Sequence, residues 1–334
     1  MKIASIERID ALEPIKGADK ILLASILGWT VIVKKDEYKI GDFCVYIPID
    51  TLVDPTHQAF KFLANKDKPS EWVRINTIKM RGVFSQGLTI SLSNLPQGCY
   101  SEGQDVSHML PIKKYEKENI IVASGTTTHF KPFPSEIIPI SDEDNLKTYK
   151  NTLDEFYDKE CYITLKMDGS SMTIIKYNND FMVCSRRLIL DEGSVMYQYA
   201  TREKIKERIN RNLAIQGEFC GPKINKNQIG LKDYKFFVFT IKDLDSKKFL
   251  NYEELKNTCN ELNLEMVPIL EKKIITKETT LQELQDFANK VEYTHPNNKK
   301  VFGEGIVIRP NEPVYSNSLN KFLSVKIINQ NYKD

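Results

Sequence analysis

The run Cys161-Tyr162-Ile163-Thr164-Leu165-Lys166-Met167-Asp168-Gly169-Ser170-Ser171 decides how the chain is read. Its first five residues predict a strand, and Asp168-Gly169 predicts the turn that follows. Lys166 therefore stands at a strand end, where its amine can be held pointing into a cleft. Such an amine can attack a phosphorus or a carbonyl once its proton is removed or its pKa lowered. On its own the tetrapeptide Lys166–Gly169 fits a surface lysine before a β-turn better, so the surrounding sequence has to decide.

Downstream, Met172–Tyr177 and Asp180–Ser185 predict two more strands with Asn178-Asn179 as the turn between them. Further elements follow in order: Ser185-Arg186-Arg187, Gln216-Gly217-Glu218-Phe219-Cys220-Gly221, the buried-type strand Phe236–Ile241, Glu304-Gly305-Ile306-Val307-Ile308-Arg309, and Leu323-Ser324-Val325-Lys326-Ile327. Each suits one part of a nucleotide. An amine attacking the α-phosphorus of a nucleoside triphosphate needs cations for the developing charge, and Arg186 and Lys326 can serve. A divalent metal needs carboxylate oxygens, which Asp168 and Glu304 offer. Glu218 suits a ribose hydroxyl, and Phe239 a purine face. A neighbouring cation or metal would lower the pKa of Lys166 and free its amine near neutral pH. Any one of these residues alone reads as a strand-end charge or a core aromatic; the ordered set points to nucleotide chemistry.

This order and spacing resemble the covalent nucleotidyltransferase superfamily, which comprises ATP-dependent RNA ligases, DNA ligases and mRNA capping enzymes. The resemblance covers about 160 to 330. It implies that Lys166 forms a lysyl-AMP bond and that Lys326, the final lysine of the set, acts with it. It also implies that Arg186, Glu218, Phe239, Glu304 and Lys326 bind the nucleotide, with Asp168 and Glu304 at a Mg²⁺ or Mn²⁺ ion. Upstream, Ile15-Lys16-Gly17-Ala18-Asp19, Gly28-Trp29-Thr30-Val31-Ile32-Val33-Lys34, Lys39-Ile40-Gly41-Asp42 and Arg81–Leu88 resemble the RNA ligase clade that carries an OB module ahead of the catalytic domain. DNA ligases and capping enzymes place such a domain after the last motif, and only eight residues follow Lys326. Three positions depart from the family pattern. Thr164-Leu165 stand where many relatives have a glutamate, Ser324 stands where many have a first lysine, and Thr240 replaces a common aspartate.

The fold expected is α+β: an N-terminal OB-type β-barrel followed by a mixed α/β nucleotidyltransferase domain of ATP-grasp-like kind. Short strand-like runs punctuated by Gly-Asp turns fill the first 95 residues, here expected as the OB module. Lys34, Lys35, Lys39, Arg74, Lys79 and Arg81 could give it a basic face, or be solvated strand edges. Prolines 96, 111, 132, 134 and 139, the run Gly125-Thr126-Thr127-Thr128 and the acidic Ser141-Asp142-Glu143-Asp144 mark 96–145 as a linker. Lys113, Lys114 and Lys117 form a local basic cluster in it, expected to be solvated. The domain from 146 to 334 should hold helices near 146–157, 195–211, 252–262 and 281–291, the last with a capping box from Thr280 and Glu283. The 195–211 helix carries five basic residues on what reads as a solvated face, with phosphate tracking as the alternative.

A net charge of +2 excludes a strongly basic protein, so contact with nucleic acid has to be local. The N-terminus lacks a signal-peptide pattern, and no apolar run reaches the ~20 residues of a membrane span. Six scattered cysteines without a Cys-x-x-Cys fit buried free thiols in a reducing compartment, cytoplasmic or nuclear. The isolated His57, His108, His129 and His295 show no metal spacing. The sequence thus implies an ATP-dependent RNA ligase acting on RNA ends or nicked duplex with ATP. The competing readings are a GTP-dependent RNA guanylyltransferase and a non-catalytic RNA-binding protein.

Overall fold

The structure is a computed structural model that describes residues 2–115, 131–294 and 300–332. Lys117, His129, His295 and the Gly125–Thr128 run lie outside the described residues. The chain divides into two units, Met1–Lys117 and Glu118–Asp334.

The first unit is built from short antiparallel strands. Phe43–Ile47 lies between Ser5–Arg8 and Leu88–Ile90. Ala11–Pro14, Ile21–Ile26 and Trp29–Lys34 form a meander. In the last of these Trp29, Val31 and Val33 are buried while Thr30 and Ile32 are only partly so, the alternation of a half-covered strand. The core gathers Ile6, Val45, Ile47, Val53, Phe60 and Val106. Residues 96–115, expected within a linker, contribute to this unit: Val106 and Leu110 are buried, and Ile112–Lys114 pairs with Thr51–Val53. Of the basic residues considered for a nucleic-acid face, Arg74 pairs with Asp50 and covers the Tyr115 ring. Lys79 approaches Phe84, and Arg81 donates to the Gly17 carbonyl. Lys113 lies 4.1 Å from the Trp72 ring centroid.

The described residues of the second unit include an eight-stranded and a five-stranded sheet. Ser170–Tyr177 and Leu213–Cys220 are central in the larger sheet, and runs such as Met172–Ile175 are buried without alternation because both faces are covered. On one face pack the helices Val195–Arg202, Ile205–Arg208 and Tyr252–Glu261, around Ile174, Ile215, Phe236 and Val238. The single helix expected over 195–211 is broken at Lys204, which has a left-handed φ of 52°. The opposite face shares a core with the smaller sheet, where Ile163, Leu165 and Ile306 meet Phe237 and Phe239.

Residues 146–157 form a 3₁₀ segment, Lys150–Phe156, rather than an α-helix. The helix Leu281–Asn289 is capped by Thr280, which accepts from Glu283 N, while the Glu283 carboxylate turns to Lys273 at 2.8 Å, so half of the expected box is seen among the described residues. A complete capping box forms instead at Asn251 and Glu254. Phe133 and Ile138 are buried against Ile175 and Ala214, so the last part of 96–145 belongs to this unit's core. Five cysteines are buried free thiols and Cys99 is an exposed one. No helix among the described residues is long and apolar enough to cross a membrane.

Candidate active site

Lys166 directly follows the strand Lys159–Leu165, which is flanked by Ile269–Ile275 and Gly305–Pro310 in the smaller sheet. Buried Cys161, Ile163 and Leu165 fix that strand in the core. Lys166 N donates to the Gly305 carbonyl at 2.9 Å, which anchors the turn. The next strand, Ser170–Tyr177, is already in the larger sheet, so Lys166–Gly169 carries the chain from one sheet to the other. A Cβ on Gly169 would come within 2.6 Å of the Phe219 carbonyl and 2.8 Å of Glu218 Cγ. This glycine therefore lets the lysine turn lie directly against the strand that carries Glu218.

The Lys166 ammonium meets Glu304 Oε1 at 2.5 Å. Burial works to lower the lysine's pKa, but Glu304 and Glu218 outweigh it and hold the ammonium well above its ordinary range. The lowered pKa expected from the sequence is thus not found in the protein alone, because the charges nearest the amine are carboxylates. Glu218 is pushed up to about 8, first by burial and then, against the pull of Lys166, by Glu304, Glu143 and Asp168. Burial also raises Glu304, again opposed by Lys166. Asp168 accepts from Asn225 Nδ2 at 2.7 Å through one oxygen and from the Tyr332 hydroxyl at 2.6 Å through the other.

The donor set fits a divalent cation. Two hard-oxygen carboxylates, Asp168 and Glu304, sit in a site where carboxylates outnumber the lysine and where burial, with the neighbouring carboxylates, raises Glu304 and Glu218. Among the described residues no three His, Cys, Asp or Glu side chains form a ready-made metal cluster. Two protein carboxylates completed by phosphate and water oxygens is the usual supply for Mg²⁺.

Arg186 and Lys326 both face Asp142: Arg186 Nη2 lies 2.8 Å from Oδ2, and Lys326 Nζ lies 3.7 Å from Oδ1. Lys326 is positioned by the strand Val325–Ile328, which pairs with Gly305–Pro310. Its approach depends on Gly305, whose φ is +152° and where a Cβ would lie 2.1 Å from the Ile327 carbonyl.

Phe239 shares the face of Phe237 by ordinary alternation, and a bulge beside it turns Thr240 to the same side. The pairing of Leu213–Cys220 with Lys235–Asp243 shifts between Gln216 and Gly217, whose partners are Thr240 and Val238. Phe239 and Thr240 both line a pocket on the cleft side, and alternation resumes with Ile241 in the opposite core. Arg309 lies over the Phe239 ring at 5.2 Å and pairs with Glu143. Arg309 Nη1 is 3.5 Å from the hydroxyl of Thr164, one of the two residues that stand where relatives have a glutamate. Ser324 Oγ, in the same pocket, is buried without a hydrogen-bond partner among the described residues.

Lys166, Asp168, Glu218 and Glu304 are thus brought into one electrostatic cluster, and Arg186 and Lys326 converge on one carboxylate. Sequence reasoning missed Asp142, Glu143, Arg309, Asn225 and Tyr332. Three carboxylates at 142–144, just ahead of the lysine strand, were the available signal for the first two; Asn225 and Tyr332 gave none.

An RNA ligase family profile matches residues 159–327, and an OB-fold domain profile matches residues 3–92. Three solved structures of Naegleria gruberi RNA ligase resemble the chain throughout. An apo variant has 28% identity and a TM-score of 0.81, covering 98% of this chain and 97% of that one. A variant with AMP and manganese has 28% identity and a TM-score of 0.80 at the same coverage. The ligase with pyrophosphate has 29% identity and a TM-score of 0.80, also at that coverage. No curated protein matches the chain.

Proposed function

Because the chain belongs to the RNA ligase family, we infer that it is an ATP-dependent RNA ligase in which Lys166 is the residue that takes AMP. The observation that carries the assignment of Lys166 is its amine, fixed at the crossing between two sheets and 2.5 Å from Glu304. The amine attacks the α-phosphorus of ATP, a P–N bond forms, and the bond to the β-phosphate breaks to release pyrophosphate. Before attack Lys166 has to give up a proton, and the Glu304 carboxylate is the acceptor in contact with it. The AMP then passes to an RNA 5′-phosphate. A 3′-hydroxyl attacks that adenylylated end, AMP leaves, and a phosphodiester forms.

Arg186 and Lys326 take phosphate oxygens, Glu218 the ribose, and Phe239 with its pocket the base. Asp168 and Glu304 would hold a Mg²⁺ or Mn²⁺ ion, which when bound neutralises phosphate charge and favours the free amine. The first unit contacts the RNA. Its aromatic rings, Trp72 beside Lys113 and Tyr115 beside Arg74, are the kind of surface on which bases stack. Buried free thiols suit a reducing compartment, the cytoplasm or the nucleus.

The test is incubation with α-labelled ATP and Mg²⁺ or Mn²⁺. The wild type should retain label and Lys166→Ala should not. A wild type without label, or equal labelling of Lys166→Ala, overturns the assignment. A parallel incubation with labelled GTP would reveal a guanylyltransferase.

A further inference from the structure

The acidic run Asp142-Glu143-Asp144 is tied down by four cations in different directions. Glu143 turns to Arg309 at 2.5 Å, and Asp144 accepts from Lys321 at 2.7 Å. Asp144 and Asn145 also pair in parallel with Val325 and Lys326, so the backbone on that side is in register with a strand. On the other side Ser141 Oγ lies 3.0 Å from Ser171 Oγ, and between these anchors the Asp142 carboxylate receives Arg186 on one oxygen and Lys326 on the other, at 2.8 and 3.7 Å.

Arg186 and Lys326 come from separate parts of the domain, one following the strand Asp180–Cys184 and one within the strand Val325–Ile328. Two such cations converging on one pair of anionic oxygens is the arrangement a phosphate requires. A carboxylate and a phosphate cannot share it, because like charges within a few ångströms repel strongly when partly buried. The neighbours of Asp142 are held by their own partners. Its side chain can therefore rotate away from the cations while the flanking backbone stays in place.

We propose that Asp142 is an internal stand-in for a substrate phosphate. It is a positioning residue that keeps Arg186 and Lys326 converged on one anion and gives them up when the nucleotide's phosphates arrive. This rests on the reading of those two cations as phosphate ligands of an ATP-dependent ligase. Asp142 then sets the affinity for ATP: a ligand has to bring enough negative charge to displace the carboxylate, which favours polyphosphates over nucleosides.

The experiment measures lysine labelling against ATP concentration for the full chain, wild type and Asp142→Asn. The expected result is a KM for ATP about fivefold lower in Asp142→Asn, with kcat changed far less. Asp142→Ser should shift KM in the same direction, and Asp142→Glu should restore it towards the wild type. A purely structural role would instead lower kcat or raise KM. An unchanged or raised KM in Asp142→Asn and Asp142→Ser overturns the proposal. Calorimetric titration with pyrophosphate and Mg²⁺ provides a second readout that needs no turnover, with tighter binding expected in Asp142→Asn. If the wild type takes up no label, the ligase reading fails and the pyrophosphate titration decides the fate of Asp142 alone, with equal binding overturning it.

Discussion

Glu143 Oε1 lies 2.5 Å from Arg309 Nη2, with 20% of the glutamate side chain and 9% of the arginine side chain exposed. Burial works to raise the Glu143 carboxyl, but Arg309 and then Lys326 outweigh it and hold the group below the ordinary carboxylate range. The folded state thus favours the charged form. Its contribution to stability is present above the unfolded value of 4.5 and is lost as pH falls through the lower folded value. Removing one partner leaves a charge with little solvent around it, at a cost of about 3 kcal/mol. Glu143→Ala should lower the melting midpoint at pH 7, and Glu143→Gln should flatten the loss of stability on acidification. Thermal melts across pH 3–7 check both; an acid limb that keeps its slope in Glu143→Gln contradicts the assignment.

Gly305→Ala should be the most damaging single change near the site. The new Cβ would overlap the Ile327 carbonyl in a backbone conformation that side chains rarely adopt. A cost of about 3 kcal/mol is expected, with Lys326 displaced from the cleft. The measurement is the urea midpoint together with lysine labelling. A variant as stable and active as the wild type would contradict the close approach of Gly305 to the Ile327 carbonyl.

Lys147 is 2% exposed, and burial pushes its ammonium down to about 8 from 10.5. The fold therefore favours the neutral amine. Between those two values the unfolded chain binds more protons, so stability rises with pH through that window, and the full cost is felt below about 8. Lys147→Met should stabilise the protein at pH 7 by on the order of 2 kcal/mol and flatten the rise at alkaline pH. Denaturant titrations at pH 7 and pH 10 test this; equal gains at both pH values would count against it.

Deleting residues 1–117, the first unit, should spare attachment of AMP to Lys166 more than sealing of RNA ends. Glu304, Arg186, Lys326 and Asp142 belong to the second unit, as does Lys166. Labelling and joining assays on the same truncated chain compare the two steps. Equal loss of both contradicts the division of labour.

Much of the second unit was legible in the sequence because its parts are local. A strand, a lysine and an Asp-Gly turn are contiguous, and Glu218, Glu304 and Lys326 each lie in or beside an apolar strand whose period is visible. What stayed hidden depends on partners distant in the chain. Asp142 and Glu143 have no apolar period and read as solvated loop, yet their partners are Arg186, Lys326 and Arg309. Lys147 looked like any charged residue in a helical pattern, because burial of a lysine leaves no local mark. That Thr240 joins Phe239 on the cleft side depends on a register shift opposite Gln216 and Gly217, a property of two strands together.

The crossing from the strand that ends at Leu165 to the strand that begins at Ser170 takes only four residues, and the lysine is the first of them. So short a tether leaves no slack. The backbone of Lys166 cannot shift without changing the spacing of the two sheets, and the sheets cannot part without carrying the base of its side chain with them. The width of the cleft and the point from which the nucleophile reaches are therefore a single mechanical variable, while the flexible stem aims the amine.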